Sequence, residues 1–368
     1  MSFYYFNFSS DLALAQDKPC YTPPVNVRAM EQDLQCLAFY VSADNLVVVD
    51  RGMIQVCQSF FDRDCFVSVE EAEGKLIPWG WNRTLLFLYK NANVEKTYSE
   101  SQLNELRRLA SRKIGVEMLA EMLKVLDINC LCGDASFCTS MDDVNKVLSK
   151  GKEGLHIFKA PLSGSGRGLR FDSAGITQQL IGWCKNCIDI QGGVVVETLF
   201  DKVLDFAAEF DVTEDDVIFR GWSVFATTKS NAYLGNYIES QEKLLHRITK
   251  FIPEGQLKEI INEQTLLLRK RFCGVYQGPL GVDMMVCKSK EATNGDVSYR
   301  LHPLVEINMR YTMGYFSLFL NQYVANDKTA MFKIVYAKEN EELQKQFKGV
   351  ESVFSVGKLE NGFALLSP

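Results

Sequence analysis

"HPLVEINMRYTMG", residues 302–314, is an apolar run that carries a polar side chain at every second place from Glu306 onward. Side chains of a strand alternate between its faces. His302, Leu304, Glu306, Asn308 and Arg310 therefore share one face, and Pro303, Val305, Ile307, Met309 and Tyr311 share the other. Buried polar atoms are costly unless they have partners. The first face must meet something polar.

Its partner is legible upstream, in "GPLGVDMMVCKSKEATNGDVSYR", residues 278–300. Asn294-Gly295 is a strong signal for a two-residue type I′ hairpin turn. Counting outward along an unbroken ladder sets Asp283 opposite Glu306, Met285 opposite Leu304 and Gly281 opposite Asn308. On the other face Val282 meets Ile307 and Met284 meets Val305. Facing carboxylates repel, and either a shared proton or a divalent cation would offset that. Two carboxylates and an amide offer only oxygen, which suits Mg²⁺ completed by waters and phosphates. Arg310 is spaced to meet phosphate oxygens or a carboxylate.

A second signal is "HIFKAPLSGSGRGLR", residues 156–170. Gly164, Gly166 and Gly168, interleaved with Ser163, Ser165 and Arg167, form a loop able to aim backbone N–H groups at phosphates. It has neither the Gly-Lys-Ser/Thr ending of a Walker A loop nor the third spaced glycine of a dinucleotide fingerprint. Lys159 stands at the end of the strand leading into it, placed as a point charge.

Together "KAPLSGSGRG", "VVVETLFDKVLDFAAEF", "GPLGVDMMV" and "PLVEINMR" resemble the ATP-grasp superfamily over roughly residues 112–315. The resemblance implies an ATP-grasp fold, two α+β subdomains gripping ATP, preceded by an N-terminal α/β domain. It places that domain at 1–111, a lid at 112–196, and a central subdomain with the metal site and C-terminal tail at 197–368. It implies ATP and Mg²⁺ as cofactors, with Mn²⁺ as an alternative. A substrate carboxylate, small-molecule or peptide, would attack the γ-phosphate, and an amine or thiol would displace phosphate from the acyl phosphate. Lys159 takes the role of the lid lysine on the phosphates, and Lys113 that of the earlier lysine. Ser163, Gly164, Ser165, Gly166, Arg167 and Gly168 form the flap. Glu197, Thr198 and Leu199 read adenine, and Asp205 meets the ribose. Asp283, Glu306 and Asn308 hold the metal, and Arg310, with Lys159, serves catalysis. Many members carry a basic residue two places before the metal Asp. Here that place is Gly281, with Arg220 or Arg271 as substitutes.

The rest of the chain is consistent with these expectations. Its 368 residues allow two or three domains. A net charge of -6 argues against a nucleic-acid partner, and no apolar run reaches membrane-span length. The start "MSFYYFNFSSDLALA" lacks a basic leader and reads as a first strand. The eleven cysteines read as reduced thiols of a cytoplasmic protein, with Cys184 and Cys187 on the buried face of a helix rather than in a zinc site. Residues 99–126 form one long helical pattern capped by Ser99 or Ser101. "SSDLALA", "CYTPP" and "PWGWNR" match no substrate code. Trp79, Trp81 and Arg83 line a pocket or pack a domain interface. The three histidines need no catalytic role, and His302 is read as a structural neighbour. Three functions follow: a carboxylate–amine ligase first, then a phosphotransferase on the same scaffold, then a non-catalytic nucleotide-binding protein. The acid and the acceptor stay open, and a homodimer is compatible with all three.

Overall fold

Alternating patterns such as "DFAAEFDV" set one apolar face on helices and leave the other for chemistry. The computed structural model describes residues 2–41, 45–95, 98–150, 155–164, 168–173, 175–228, 233–289, 298–324, 328–336 and 363–366. The chain forms two compact units. One comprises Met1–Arg107, Leu234–Ser240 and Tyr315–Pro368, and the other Arg108–Tyr233 and Gln241–Gly314.

In the first unit the expected opening strand, Ser2–Tyr5, is central to a five-stranded sheet. Its neighbours, Leu46–Val48 and Gly74–Pro78, both run parallel to it. Phe3, Val48, Leu76, Leu85 and Tyr89 form a core on this sheet. Trp79 is buried against Phe6 and Phe8, at ring distances of 5.0 and 4.5 Å. Trp81 packs on Tyr98 at 5.0 Å, and Arg83 pairs with Asp17 at 2.7 Å. These three side chains thus make packing and ion-pair contacts within this unit. The same unit takes in Leu234–Ser240, where Asn236–Ile238 pair with the strand Ala330–Tyr336, itself paired with Phe363–Leu366.

The second unit holds two sheets. A four-stranded antiparallel sheet orders Ser136–Cys138, Val194–Thr198, His156–Lys159 and Leu169–Phe171. One face buries Phe158, Val194 and Val196 against Val144, Leu180, Cys184 and Cys187 of the helices Met141–Lys150 and Gln178–Gln191. The other sheet runs antiparallel through Tyr299–Asn308, Gly278–Lys288, Lys202–Val212 and Val217–Thr227. The helix Glu254–Phe272 backs it, and the buried Gln264 donates to the Pro303 carbonyl at 2.7 Å.

The long helical pattern is two helices, Glu100–Leu109 and Arg112–Val125. Ser99, not Ser101, caps the first: its hydroxyl accepts from Gln102 N–H at 3.4 Å, and Gln102 returns an acceptor to Ser99 N–H at 2.9 Å. Ser111 caps the second, accepting from Lys113 N–H at 3.3 Å. A second cap inside the pattern ends one helix and starts the next.

Candidate active site

The hairpin count is met at the carboxylates and missed beyond them. Asp283 faces Glu306, Val282 faces Ile307 and Gly281 faces Asn308. Past Asp283 the register shifts, so that Met285 faces His302 rather than Leu304. Pro303 lies in the shifted stretch; it has no N–H to give the ladder, and strands accommodate proline at bulges. The two-residue slip preserves the faces because the pleat repeats every two residues. The Asn294-Gly295 turn lies outside the described residues.

Cross-strand register arranges one face of this sheet in rows. Asp205, Met285 and His302 form one, Ala207, Asp283 and Glu306 the next, and Glu209, Gly281 and Asn308 the third. Asp283 accepts from Asn308 Nδ2 at 3.1 Å, and Asn308 Oδ1 accepts from Arg310 Nη2 at 3.0 Å. Burial first, then the charges of Glu306 and Glu209, raise the Asp283 carboxyl well above its ordinary range. In the third row Glu209 is fully buried and takes Ser223 Oγ at 2.8 Å and Thr312 Oγ1 at 2.9 Å. Burial pushes its carboxyl up to about 7, against those two hydrogen bonds. A Cβ at Gly281 would lie 2.8 Å from Glu209 Oε2, and one at Gly314 would lie 2.1 Å from Oε1. The missing basic residue at 281 is thus matched by space that the Glu209 carboxylate fills. Arg220 pairs with Asp211 and Arg271 with Glu121, so both proposed substitutes are engaged elsewhere.

The lid-side groups come from the four-stranded sheet and the second helix. Lys159 is 5% exposed and ion-paired with the equally buried Glu197. Arg112 is the first residue of its helix and is buried. Its Nη1 donates to Ala160 O at 2.5 Å and Ser163 Oγ at 2.6 Å, and its Nη2 to Ser163 O at 3.2 Å and Glu306 Oε1 at 2.6 Å. Lys113 is exposed, its Nζ over the Phe137 ring at 5.7 Å. Arg112, Lys159, Glu197 and Glu306 line one cleft with Ser111, Leu119 and Leu304.

No family model matches the chain, and no curated protein matches it in sequence. Solved structures do match its coordinates. An N5-carboxyaminoimidazole synthase from Aspergillus clavatus, in complex with ADP and 5-aminoimidazole ribonucleotide, aligns at TM-score 0.51 and 12% identity, covering 91% of this chain and 90% of its own. A carboxyaminoimidazole ribonucleotide synthase from the same organism, complexed with ATP, aligns at TM-score 0.50 and 11% identity over 91% of each chain. A protein from Archaeoglobus fulgidus assigned to the ATP-grasp superfamily covers 100% of this chain and 98% of its own, at TM-score 0.47 and 11% identity.

The chain has the ATP-grasp fold.

Within the ATP-grasp fold the remaining predicted residues fall as follows. Ser163 meets Arg112, and Gly168 closes the glycine loop by accepting from Ala160 N–H at 2.9 Å. A Cβ at Gly168 would lie 2.1 Å from Ser163 Oγ. Gly164 is buried, while Ser165, Gly166 and Arg167 lie outside the described residues. Thr198 N–H donates to Asp134 at 2.9 Å, and Leu199 N–H to Leu155 O at 2.8 Å, so these two N–H groups already have protein acceptors. Asp205 pairs with Lys202 at 2.7 Å and accepts from Thr227 at 2.9 Å. Among the described residues no group of three or more His, Cys, Asp or Glu is placed to hold a metal. Cys184 and Cys187 lie buried on the helix Gln178–Gln191, and burial raises their thiols to about 12 and 11. The pair Asp283 and Glu306, with the Asn308 amide, is an all-oxygen set that fits a hard cation sharing its shell with phosphates. Among the described residues no helix is long and apolar enough to cross a membrane.

Arg112 and Glu209 escaped the sequence reading, yet both were within reach of it. Arg112, Gly115, Leu119 and Met122 lie on one helical stripe, which turns Lys113 outward. Glu209 follows Asp205 and Ala207 at strand spacing, on the same face.

Proposed function

We propose that this chain is an ATP- and Mg²⁺-dependent ligase that activates a carboxylate for attack by an amine or thiol. The observation that carries the reading is the cross-strand pair Asp283 and Glu306, with Asn308 in register beside it and Arg310 bonded to Asn308. The nucleotide complexes of the A. clavatus enzymes support a nucleotide here. Asp283, Glu306 and Asn308 would hold Mg²⁺, which when bound offsets charge on the phosphoryl group being transferred. Lys159 and Arg112 provide positive charge at the mouth of the glycine loop, now balanced by Glu197 and Glu306. Arg310, held by Asn308 at 3.0 Å, would orient an anionic oxygen. Positioning and charge neutralisation of this kind are what phosphoryl transfer asks of a protein. Residues 112–196 would act as the lid and Glu197–Leu199 as the adenine contact.

The test supplies ATP, Mg²⁺ and a panel of ¹⁸O-labelled carboxylates with amine acceptors. A ligase passes one labelled oxygen into released phosphate and forms ADP. A stable phosphoester with no free phosphate would assign a phosphotransferase instead. Nucleotide binding without turnover of any acid would leave a binding protein.

A further inference from the structure

Arg112 joins two parts of the site that lie 194 positions apart in the chain. Only 6% of its side chain is exposed, and its guanidinium gives Glu306 Oε1 one bond at 2.6 Å. Three further bonds hold the start of the glycine loop, at Ala160 O, Ser163 Oγ and Ser163 O. Its backbone N–H adds another, to Pro161 O at 2.9 Å. Ser163 in turn abuts the far end of the loop, where a Cβ at Gly168 would lie 2.1 Å from its Oγ. A continuous set of contacts thus runs from Glu306 through Arg112 and Ser163 to Gly168, all inside one compact unit.

Two features mark the Glu306 bond as exchangeable. A guanidinium has five N–H donors. That of Arg112 Nε is buried and has no acceptor among the described residues, so this set of partners leaves a costly donor unused. Glu306 also faces Asp283 across the strands while it pairs with Arg112. One carboxylate therefore serves two cations, the guanidinium and the divalent ion that the pair fits. Positive charges a few ångströms apart in a partly buried site repel strongly. The two cannot both draw fully on Glu306.

We propose that Arg112 and the divalent cation compete for Glu306, so that filling the carboxylate pair loosens the base of the glycine loop at Ala160 and Ser163. The proposal rests on the cation reading given above. It makes Arg112 a positioning residue that acts through Glu306 and Ser163. By reciprocity, Arg112 weakens cation binding by the same factor that the cation weakens the hold of Arg112 on Glu306.

Two measurements on the full chain test it, with Mn²⁺ alone and no nucleotide. In titrations followed by electron paramagnetic resonance, Arg112→Gln, which removes the charge and keeps an amide donor, should bind Mn²⁺ about fivefold or more tighter than wild type. Asp283→Asn should weaken binding in both backgrounds, which ties the signal to this pair. In hydrogen exchange, saturating Mn²⁺ should speed the Arg112 and Ala160 amides of wild type and leave those of Arg112→Gln unmoved. A residue that only held the fold would, once replaced, weaken Mn²⁺ binding or leave it unchanged. If Mn²⁺ binds Arg112→Gln no more tightly than wild type, and the wild-type amides do not respond, the proposal is wrong and the cation reading stands. The exchange measurement on wild type decides alone if the variant does not fold. Mn²⁺ binding that Asp283→Asn leaves untouched, or no binding at all, would overturn the cation reading and this inference with it.

Discussion

Arg112 ties the start of the glycine loop to a carboxylate of the acidic pair through one buried guanidinium. Its loss would strand Glu306 and the acceptors at Ala160 and Ser163. Arg112→Ala should therefore cost roughly 2–3 kcal/mol in urea melts and weaken nucleotide binding. Lys113→Ala should cost less than about 0.5 kcal/mol, as surface changes do. Equal effects in the two variants would contradict these placements. The sequence showed two adjacent basic residues, and only the helical stripe distinguishes them. The motif points to Lys113, which is exposed, while the buried neighbour is Arg112. Glu209 supports a different test. In the folded chain its carboxyl keeps a proton up to about pH 7, against 4.5 unperturbed. Across that window the folded state binds the extra proton, so rising pH removes stability, by about 3 kcal/mol at roughly 1.4 kcal/mol per unit. In metal-free urea melts, Glu209→Gln should gain on wild type progressively from pH 4.5 to 7.5. Parallel curves would mean that Glu209 titrates normally.

Among the elements, the strand Tyr299–Asn308 explains both the success and the failure of reading by register. Asp283 opposite Glu306 followed from counting, because alternation and turn chemistry are local signals. The shift did not follow, although Pro303 announced it by lacking the N–H an unbroken ladder needs. The break at Ser111 was missed for a related reason: one apolar stripe can run across two helices, and only the cap marks the junction. Packing around the third row was not legible, since no local pattern says that a glycine must clear a carboxylate from another strand. It is nevertheless testable. Gly314→Ala puts a methyl onto Glu209 Oε1 and Ser223 Oγ, at 2.1 and 2.3 Å. We expect a loss of about 2 kcal/mol or more in denaturant melts, from overpacking. Adding Glu209→Ala should restore part of it, since the two changes share one space. Strict additivity would place the strain elsewhere.

At the scale of the whole molecule, the sequence announced an α/β beginning and a strand-rich end but not that the two belong to one unit. The strand Tyr233–Ile238 finds its partner in Ala330–Tyr336, and a pairing between such distant segments leaves no local trace. In the same unit Tyr40 packs on Phe316 at 6.2 Å and on Tyr323 at 5.6 Å, and Thr329 donates to Glu239 at 2.6 Å. A chain ending at Gly314 should therefore lose amide protection at 234–238 and around Tyr40, measured by hydrogen exchange. Unchanged protection there would show that the first unit does not need its last segment. The same interleaving has a consequence at the ribosome. The opening segment of the first unit ends about 200 residues before Tyr315, the start of the segment that completes it. At translation speeds of roughly 5–20 residues per second, that is a wait of about 10–40 s. During it the nascent chain presents an unfinished apolar core, the kind of surface that chaperones engage during synthesis.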